Sequence, residues 1–138
     1  MSELERGLPQ PFAEALAYLR LHRDNLARID AIKDNFAYIW IGNIAKNEPS
    51  ETPGGWIRLP LAFPNANPHG FVTREALKKT GQGIVADGYN PNHDTCAPVS
   101  ALGGAHYYSW TWENAPALRS PQEIVGVVQW YERRIRKG

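Results

Sequence analysis

The sequence lacks the features that would suit a membrane span, a disulfide framework or a nucleic-acid surface. Its 138 residues include one cysteine, and no apolar run approaches the roughly 20 residues that a membrane helix requires. A single cysteine cannot form an internal disulfide, and no signal-like segment follows Met1, so we expect a reducing cytoplasm. The net charge of +1 gives no electrostatic reason to expect nucleic-acid binding. The four histidines show no metal-ligand spacing, so we expect no metal site.

Length and composition predict one globular domain. Hydrophobic residues make up 43% of the chain and charged residues 21%, which is typical of a folded protein rather than a disordered one. A chain of 138 residues is expected to form a single domain. Because residues 1–8 are mostly polar, we expect a flexible N-terminus there and assign the domain to residues 9–138.

Amphipathic helices are predicted at both ends of this domain. Apolar spacing predicts a first helix from about Phe12 to His22, with proline at its start. Ser120, Pro121 and Glu123 supply the N-cap serine, the first-turn proline and the glutamate of a capping box for a second helix. The two apolar stripes comprise Phe12, Ala15, Leu16 and Leu19 in the first helix, and Ile124, Val127, Val128, Tyr131 and Ile135 in the second.

The segment after the first helix changes to the periodicity of a β-strand. Residues 27–33 alternate and predict a half-buried strand with Ala27, Ile29 and Ala31 on one face. Residues 34–35 are Asp-Asn, which is a turn signal. The first strand should therefore lead directly into a second, antiparallel one.

Three more apolar segments complete the predicted sheet. Residues 36–44 are aromatic and β-branched, residues 56–63 are apolar, and residues 70–73 form a short fourth candidate. Pro60 cannot donate to a strand ladder, so it should face an edge or a bulge. The predicted fold class is therefore α+β, an antiparallel meander sheet flanked by an N-terminal helix and a C-terminal helix.

The lone cysteine, Cys96, lies in a long segment without a clear periodicity. Residues 74–105 are punctuated by glycine and proline, and long irregular stretches in small domains are usually functional or mobile. A thiol among Asn, His and Asp suits a covalent nucleophile, whereas an inert, buried cysteine is the simpler alternative. Tyr107, Tyr108 and Trp110 follow this segment, and we expect them to pack a core or hold a loop.

Several short motifs follow one another in an order that is typical of one fold family. They are Asn35 with Trp40, Thr52-Pro53-Gly54-Gly55, the apolar segment Trp56 to Phe63 with Pro64, then Pro68, Phe71-Val72-Thr73, Cys96, the segment Trp112 to Pro116, and the capped helix from Pro121. This order resembles the ubiquitin-conjugating enzyme superfamily over roughly residues 10–135. The loops are more similar to its divergent bacterial members than to its eukaryotic ones.

The resemblance implies a role in ubiquitin-like protein conjugation. Cys96 would accept a ubiquitin-like modifier as a thioester from an activating enzyme and transfer it to an amine on a protein target, without a bound cofactor. The first-helix face around Arg20 and Arg23 would dock the activating enzyme, and neither nucleic acid nor a membrane is expected as a partner. Some divergent bacterial relatives act in antiviral defence, which makes that setting a further expectation.

One departure from the family pattern concerns the residues before the cysteine. Family members usually carry His-Pro-Asn several residues before the cysteine. This chain has Asn90-Pro91-Asn92 instead, and only three residues separate Asn92 from Cys96. By resemblance, Asn92 or His93 would support the developing oxyanion. His93 or Asp94 would orient or deprotonate the attacking amine. Turn chemistry explains an asparagine at this position equally well.

Two other functions are compatible with the sequence. The altered Asn-Pro-Asn segment favours a catalytically inactive relative that binds a ubiquitin-like protein or another partner, because a shared fold does not fix function. A cysteine hydrolase would pair Cys96 with His93 or His106. Such an enzyme needs a third, orienting group in space, which residue spacing cannot reveal.

Overall fold

The protein has an α+β fold, in which a six-stranded antiparallel sheet is combined with an N-terminal and a C-terminal helix. A computed structural model describes residues 3–42, 44, 54–77, 88–112 and 117–137. The sheet order is β1-β2-β3-β4-β6-β5. The elements are α1 (Gln10–His22), β1 (Arg28–Lys33), β2 (Phe36–Ile41), β3 (Gly55–Pro60), β4 (His69–Thr73), β5 (Tyr89–Pro91), β6 (His106–Thr111) and α2 (Ile124–Lys137).

The helices α1 and α2 cover one face of the sheet, and both predicted apolar stripes are confirmed. Phe12 and Leu19 of α1 and Tyr131 of α2 are fully buried in one cluster with the inward side chains of the strands. The ring of Phe71 on β4 stacks on Tyr131 with centroids 5.6 Å apart and on Trp110 at 5.8 Å. Aromatic stacking and apolar burial therefore hold the helices to the middle of the sheet.

The N-terminal residues and the α1 arginines form ion pairs inside the protein. Residues Glu3–Glu5, within the segment expected to be flexible, form a 3-10 turn, and Glu5 pairs with Arg20 at 2.6 Å. Arg23 pairs with Glu132 of α2 at 2.9 Å. Both arginines that were candidates for docking an activating enzyme therefore have partners in the protein itself.

A β-bulge corrects the predicted alternation of β1. The register of β1 against β2 shifts between Ile29 and Ala31, which leaves Asp30 as the extra residue. Ala27 and Ile29 face the helices, but Ala31 packs on the opposite side of the sheet. The expectation that Ala27, Ile29 and Ala31 share one face of the sheet is wrong. The extra residue at the bulge moves the side chains that follow it to the opposite face from the one that strict alternation predicts.

The turn and the strand ends follow their local chemistry. Asp34 and Asn35 have positive φ angles of 54° and 65°, so the predicted turn is confirmed as a tight hairpin. The strands β2 and β3 end earlier than predicted, at Ile41 and Pro60. Pro60 is tolerated because β4 pairs only with Trp56 and Ile57, so that no ladder partner is lost at the proline.

The sequence analysis missed two strands, β5 and β6. β6 lies between β4 and β5, and it extends the predicted meander into a six-stranded sheet. Its aromatic residues alternate, since Tyr108 and Trp110 face the helices and Tyr107 faces the other side. The expectation that these aromatics pack a core is confirmed. Within the described residues, no helix has the length and apolar character needed to cross a membrane.

A close approach between β3 and β4 gives a stability prediction. A Cβ at Gly55 would clash with the buried Phe71 ring and lie 2.9 Å from the Val72 carbonyl oxygen. We expect Gly55→Ala to lower the free energy of unfolding by about 1–3 kcal/mol, as overpacking does. At Gly126 in α2 an added Cβ meets nothing within 4 Å. Gly126→Ala should therefore raise the free energy of unfolding by about 0.5–1 kcal/mol, because alanine suits a helix interior better than glycine. Urea unfolding of Gly55→Ala and Gly126→Ala measures both changes. Equal changes in the free energy of unfolding would contradict the close packing at Gly55.

Candidate functional site

The side of the sheet that faces away from the helices is covered by a short irregular segment. Asp94–Leu102 form nine residues of 3-10 structure, which we call the strap. The strap carries Cys96 and Val99 into a second buried cluster with side chains of the sheet. Its sheet neighbours in this cluster are Tyr38, Trp40, Trp56, Val72 and Tyr107. The segment expected to be a loop is therefore half of a second, smaller core.

Residues in left-handed conformation bound the strap at both ends. Asn92 has φ of 53° before it and Gly103 has φ of 96° after it. The His93 side chain accepts a hydrogen bond from the Thr95 backbone N–H at 3.1 Å, which caps the first turn. The Gly104 N–H donates to the Val99 carbonyl at 3.0 Å at the other end. Local turn chemistry thus fixes where the strap begins and ends.

Two side chains of the sheet tie the strap down. The Tyr38 hydroxyl on β2 donates to the Thr95 carbonyl at 2.7 Å. Arg74, just after β4, donates from Nε to the Leu102 carbonyl at 2.9 Å. These bonds connect the strap to residues far away in the sequence, so its position depends on the whole sheet.

Cys96 is buried beneath the strap. Its residue is 3% exposed, and its backbone N–H donates to the His93 carbonyl at 2.8 Å. Burial raises the pKa of the Cys96 thiol, and a hydrogen bond with the His93 backbone opposes that effect. The thiol is therefore protonated at neutral pH in this conformation, and the accessibility that a nucleophile requires is absent.

The other three candidate site residues lie at the exposed start of the strap. Asn92 donates its backbone N–H to the Ala105 carbonyl at 2.8 Å, and its residue is exposed. The His93 ring lies 2.9 Å from the Thr95 hydroxyl and stacks on Tyr107 at 4.9 Å. Asp94 is also exposed. The structure thus keeps these residues close to Cys96 along the chain but leaves them in solvent while the thiol is buried.

An open groove runs alongside the strap. It has a volume of about 770 Å³ and is lined by residues 30–34 of the β1–β2 hairpin, by Leu4, Tyr38 and Arg58, and by four strap residues. Those four are Asp94, Thr95, Ala97 and Pro98. Residues on both sides of Cys96 line the groove, whereas Cys96 itself does not. Cys96 therefore lies beside the groove but does not open onto it.

Sequence reasoning missed Arg58 and Tyr38 as parts of this site. The Arg58 guanidinium lies 4.2 Å from the Phe36 ring centroid and donates from Nη1 to the His69 carbonyl at 2.9 Å. Burial raises the pKa of Tyr38 and Tyr107, and Arg58 opposes this effect on both. The sequence signal that was available is the position of Arg58 between two apolar residues of β3. A charged residue in a strand indicates that the face on which it lies is not entirely buried in apolar surroundings.

The histidines are engaged away from the thiol. His106 Nδ1 lies 2.8 Å from the Tyr89 hydroxyl, and burial lowers the pKa of this histidine while Glu75 acts in the opposite direction. His93 interacts with Thr95. In the part of the chain that the structure describes, no imidazole is hydrogen-bonded to Cys96, and no three His, Cys, Asp or Glu residues are grouped to hold a metal.

Comparison with known proteins adds no assignment. No family model, no curated protein and no solved structure matches this chain.

The buried titratable groups around the site predict a loss of stability at alkaline pH. Burial raises the pKa of Cys96, Tyr38, Tyr107 and Tyr131. A group whose pKa is raised by folding stabilises the protein below its unfolded-state pKa, and that contribution is lost as the pH rises through the folded-state pKa. We expect the free energy of unfolding to fall as the pH rises above about 8.5, where the unfolded thiol ionises.

Urea unfolding between neutral and alkaline pH measures this effect. The variant Cys96→Ala is the control for the thiol, because it removes one titrating group and leaves the three tyrosines in place. As the pH rises past the unfolded-state pKa of the thiol, the free energy of unfolding of Cys96→Ala should fall less steeply than that of the wild type. A stability that is constant or increasing over this pH range would contradict the buried, neutral state of these groups.

Proposed function

We propose that this chain is a ubiquitin-conjugating-enzyme-like protein that carries a ubiquitin-like modifier on Cys96. The observation that supports this most is the position of the only cysteine. It lies on a short strap at the side of an open groove, between two residues that line the groove and just after Asn92, His93 and Asp94. An acyl carrier needs a single nucleophile next to a space that can hold its substrate.

The proposed reaction has two balanced steps. The Cys96 thiolate attacks the thioester that joins the modifier to its activating enzyme, a new thioester forms on Cys96, and the activating enzyme's cysteine leaves as its thiolate. An amine of the target then attacks the new thioester, an amide bond forms and the Cys96 thiol is released with the amine's proton.

The exposed residues before Cys96 suit supporting roles in these steps. The Asn92 side-chain amide can donate to the developing oxyanion once the thiol faces the groove. Asp94 already lines the groove, where a carboxylate can orient an attacking amine. His93 caps the strap through Thr95, so its role is positioning unless that hydrogen bond breaks.

The second candidate function is a non-catalytic binding module of the same family. It is favoured by one observation, since Cys96 is 3% exposed and its thiol pKa is raised by burial. A buried, protonated thiol is an ordinary core residue. A cysteine hydrolase has less support than either, because His93 and His106 both have other hydrogen-bond partners. The expected bacterial setting and role in antiviral defence rest on the family resemblance alone.

A charging assay tests the proposed function. The protein is mixed with ATP, Mg²⁺ and the ubiquitin-like and activating proteins encoded nearest to it, and it is analysed on gels with and without a thiol reductant. We expect a reductant-sensitive band larger by one modifier, because a thioester is cleaved by thiols. Cys96→Ala should abolish it, and Ser100→Ala, an exposed change on the same strap, should not. The absence of a band with a demonstrably active activating enzyme would favour the binding module.

Asn92 allows its two proposed roles to be separated. Glycine adopts the positive φ of 53° readily, so Asn92→Gly keeps the turn but removes the amide. If the amide stabilises an oxyanion, transfer from charged protein to a free amine should slow by about 10²-fold, the usual effect of losing one such donor. The free energy of unfolding should change little. A normal transfer rate in Asn92→Gly would show that the asparagine serves the turn only.

A further inference from the structure

The strap has the architecture of a hinged cover. Left-handed residues stand at both of its ends, Asn92 with φ of 53° and Gly103 with φ of 96°. Between them the backbone forms 3-10 turns and contains Pro98, so it is not paired with any strand. Short 3-10 segments have weak internal hydrogen bonding. Displacement of the strap would therefore break no strand pairing of the sheet beneath it.

Of the two side-chain hydrogen bonds that hold the strap, the one from Tyr38 is next to the cysteine in the sequence, whereas the one from Arg74 lies at the far end. Tyr38 is 2% exposed, its ring is fixed in β2, and its hydroxyl donates to the carbonyl of Thr95, the residue that precedes Cys96. The donor and acceptor are 57 residues apart and meet at 2.7 Å. Because the acceptor is a backbone atom, the bond fixes the path of the strap rather than a side-chain rotamer. Its loss would free the strap at the position that most directly controls the thiol.

The space needed for opening is already present. The groove of about 770 Å³ lies against Thr95, Ala97 and Pro98, and Tyr38 lines it as well. The Ala97 residue is exposed, so no packed layer lies over this part of the strap. Displacement of Thr95 toward the groove would break the Tyr38 bond and would carry Cys96 out of the second core.

We propose that the Tyr38 hydroxyl is a latch, and that Cys96 reacts only when the strap leaves this hydrogen bond. Tyr38 is then a positioning residue that controls access to the thiol. In the resting protein the latch protects the only cysteine from oxidants and foreign thiols. Its value for acyl transfer rests on the proposed function, whereas the latch itself does not.

The rate of thiol modification tests the latch directly, because the chain has one cysteine. An aromatic disulfide reagent is attacked by the Cys96 thiolate, a mixed disulfide forms, and the coloured aromatic thiolate that leaves is measured. We expect Tyr38→Phe to react about three to ten times faster than the wild type, as loss of one hydrogen bond predicts. Each rate is followed against pH, since an accessibility effect should change the rate at every pH.

Tyr107→Phe is the matched control. Tyr107 belongs to the same buried cluster, and its hydroxyl interacts with Arg58 rather than with the strap backbone. This variant removes one phenolic oxygen near the thiol and leaves the Thr95 bond intact. We expect its rate to stay within about twofold of the wild type. Equal rates in Tyr38→Phe and Tyr107→Phe, or an unchanged rate in Tyr38→Phe, would overturn the proposal.

A measurement on the wild type guards against a variant that fails to fold. The modification rate is followed in low urea, well below the unfolding transition. If the strap opens locally, the rate should depend on urea much less steeply than global unfolding does, since little surface is exposed. A dependence as steep as that of global unfolding, or a rate equal to that of the denatured chain, would refute the latch. Failure of the charging assay would leave these rates unchanged, so the two proposals can fail separately.

Discussion

Burial of both faces of the sheet is the constraint on which the rest of this structure depends. The helices cover one face with two regular apolar stripes. On the other face, among the described residues, the nine-residue strap packs on Trp40, Trp56 and Tyr107. Aromatic surface of this size must be removed from water. The strap therefore inserts Cys96 and Val99 into the sheet as core residues, and this need explains why the cysteine is buried.

The same constraint sets the chemistry of the thiol. In the apolar cluster burial favours the neutral form of Cys96, and Cys96 in turn raises the pKa of the Tyr38 and Tyr107 phenols. Arg58 is the only cation that the structure shows acting on both phenols. Under the proposed latch, reactivity at Cys96 depends on whether the strap is closed.

The parts of the fold that can be predicted from the sequence are those in which a local sequence pattern indicates the same structure that the tertiary packing requires. The stripe Phe12 to Leu19, the capping box at Ser120 and the Asp34-Asn35 turn are local signals, and the structure follows them. The bulge at Asp30 is different, because it is fixed by the Trp56 indole that donates to the Asp30 carboxylate at 2.8 Å, a contact 26 residues away. The alternation of Tyr107, Tyr108 and Trp110 was available as a strand signal, but the long irregular segment before it hid β6.

The environment of the candidate site could not be predicted from local sequence patterns, because it too depends on contacts between residues far apart in the chain. Cys96, Asn92, His93 and Asp94 were found because they are unusual residues in an irregular segment. Nothing in that segment indicates that the cysteine turns inward while its neighbours face solvent. The groups that Cys96 and its neighbour Thr95 meet, the second core and the Tyr38 hydroxyl, come from strands far away in the chain.

The two candidate functions differ physically in one quantity, the free energy of opening the strap. A partner that binds only the open form has its affinity reduced by the open fraction, so an opening free energy of about 4 kcal/mol weakens binding by about 10³-fold. Large protein interfaces can offset a penalty of that size. A strap that opens at this level therefore permits covalent chemistry in a complex while the free protein keeps its thiol buried. A strap that opens only with global unfolding makes Cys96 a core residue, and binding would then be the function left to this surface.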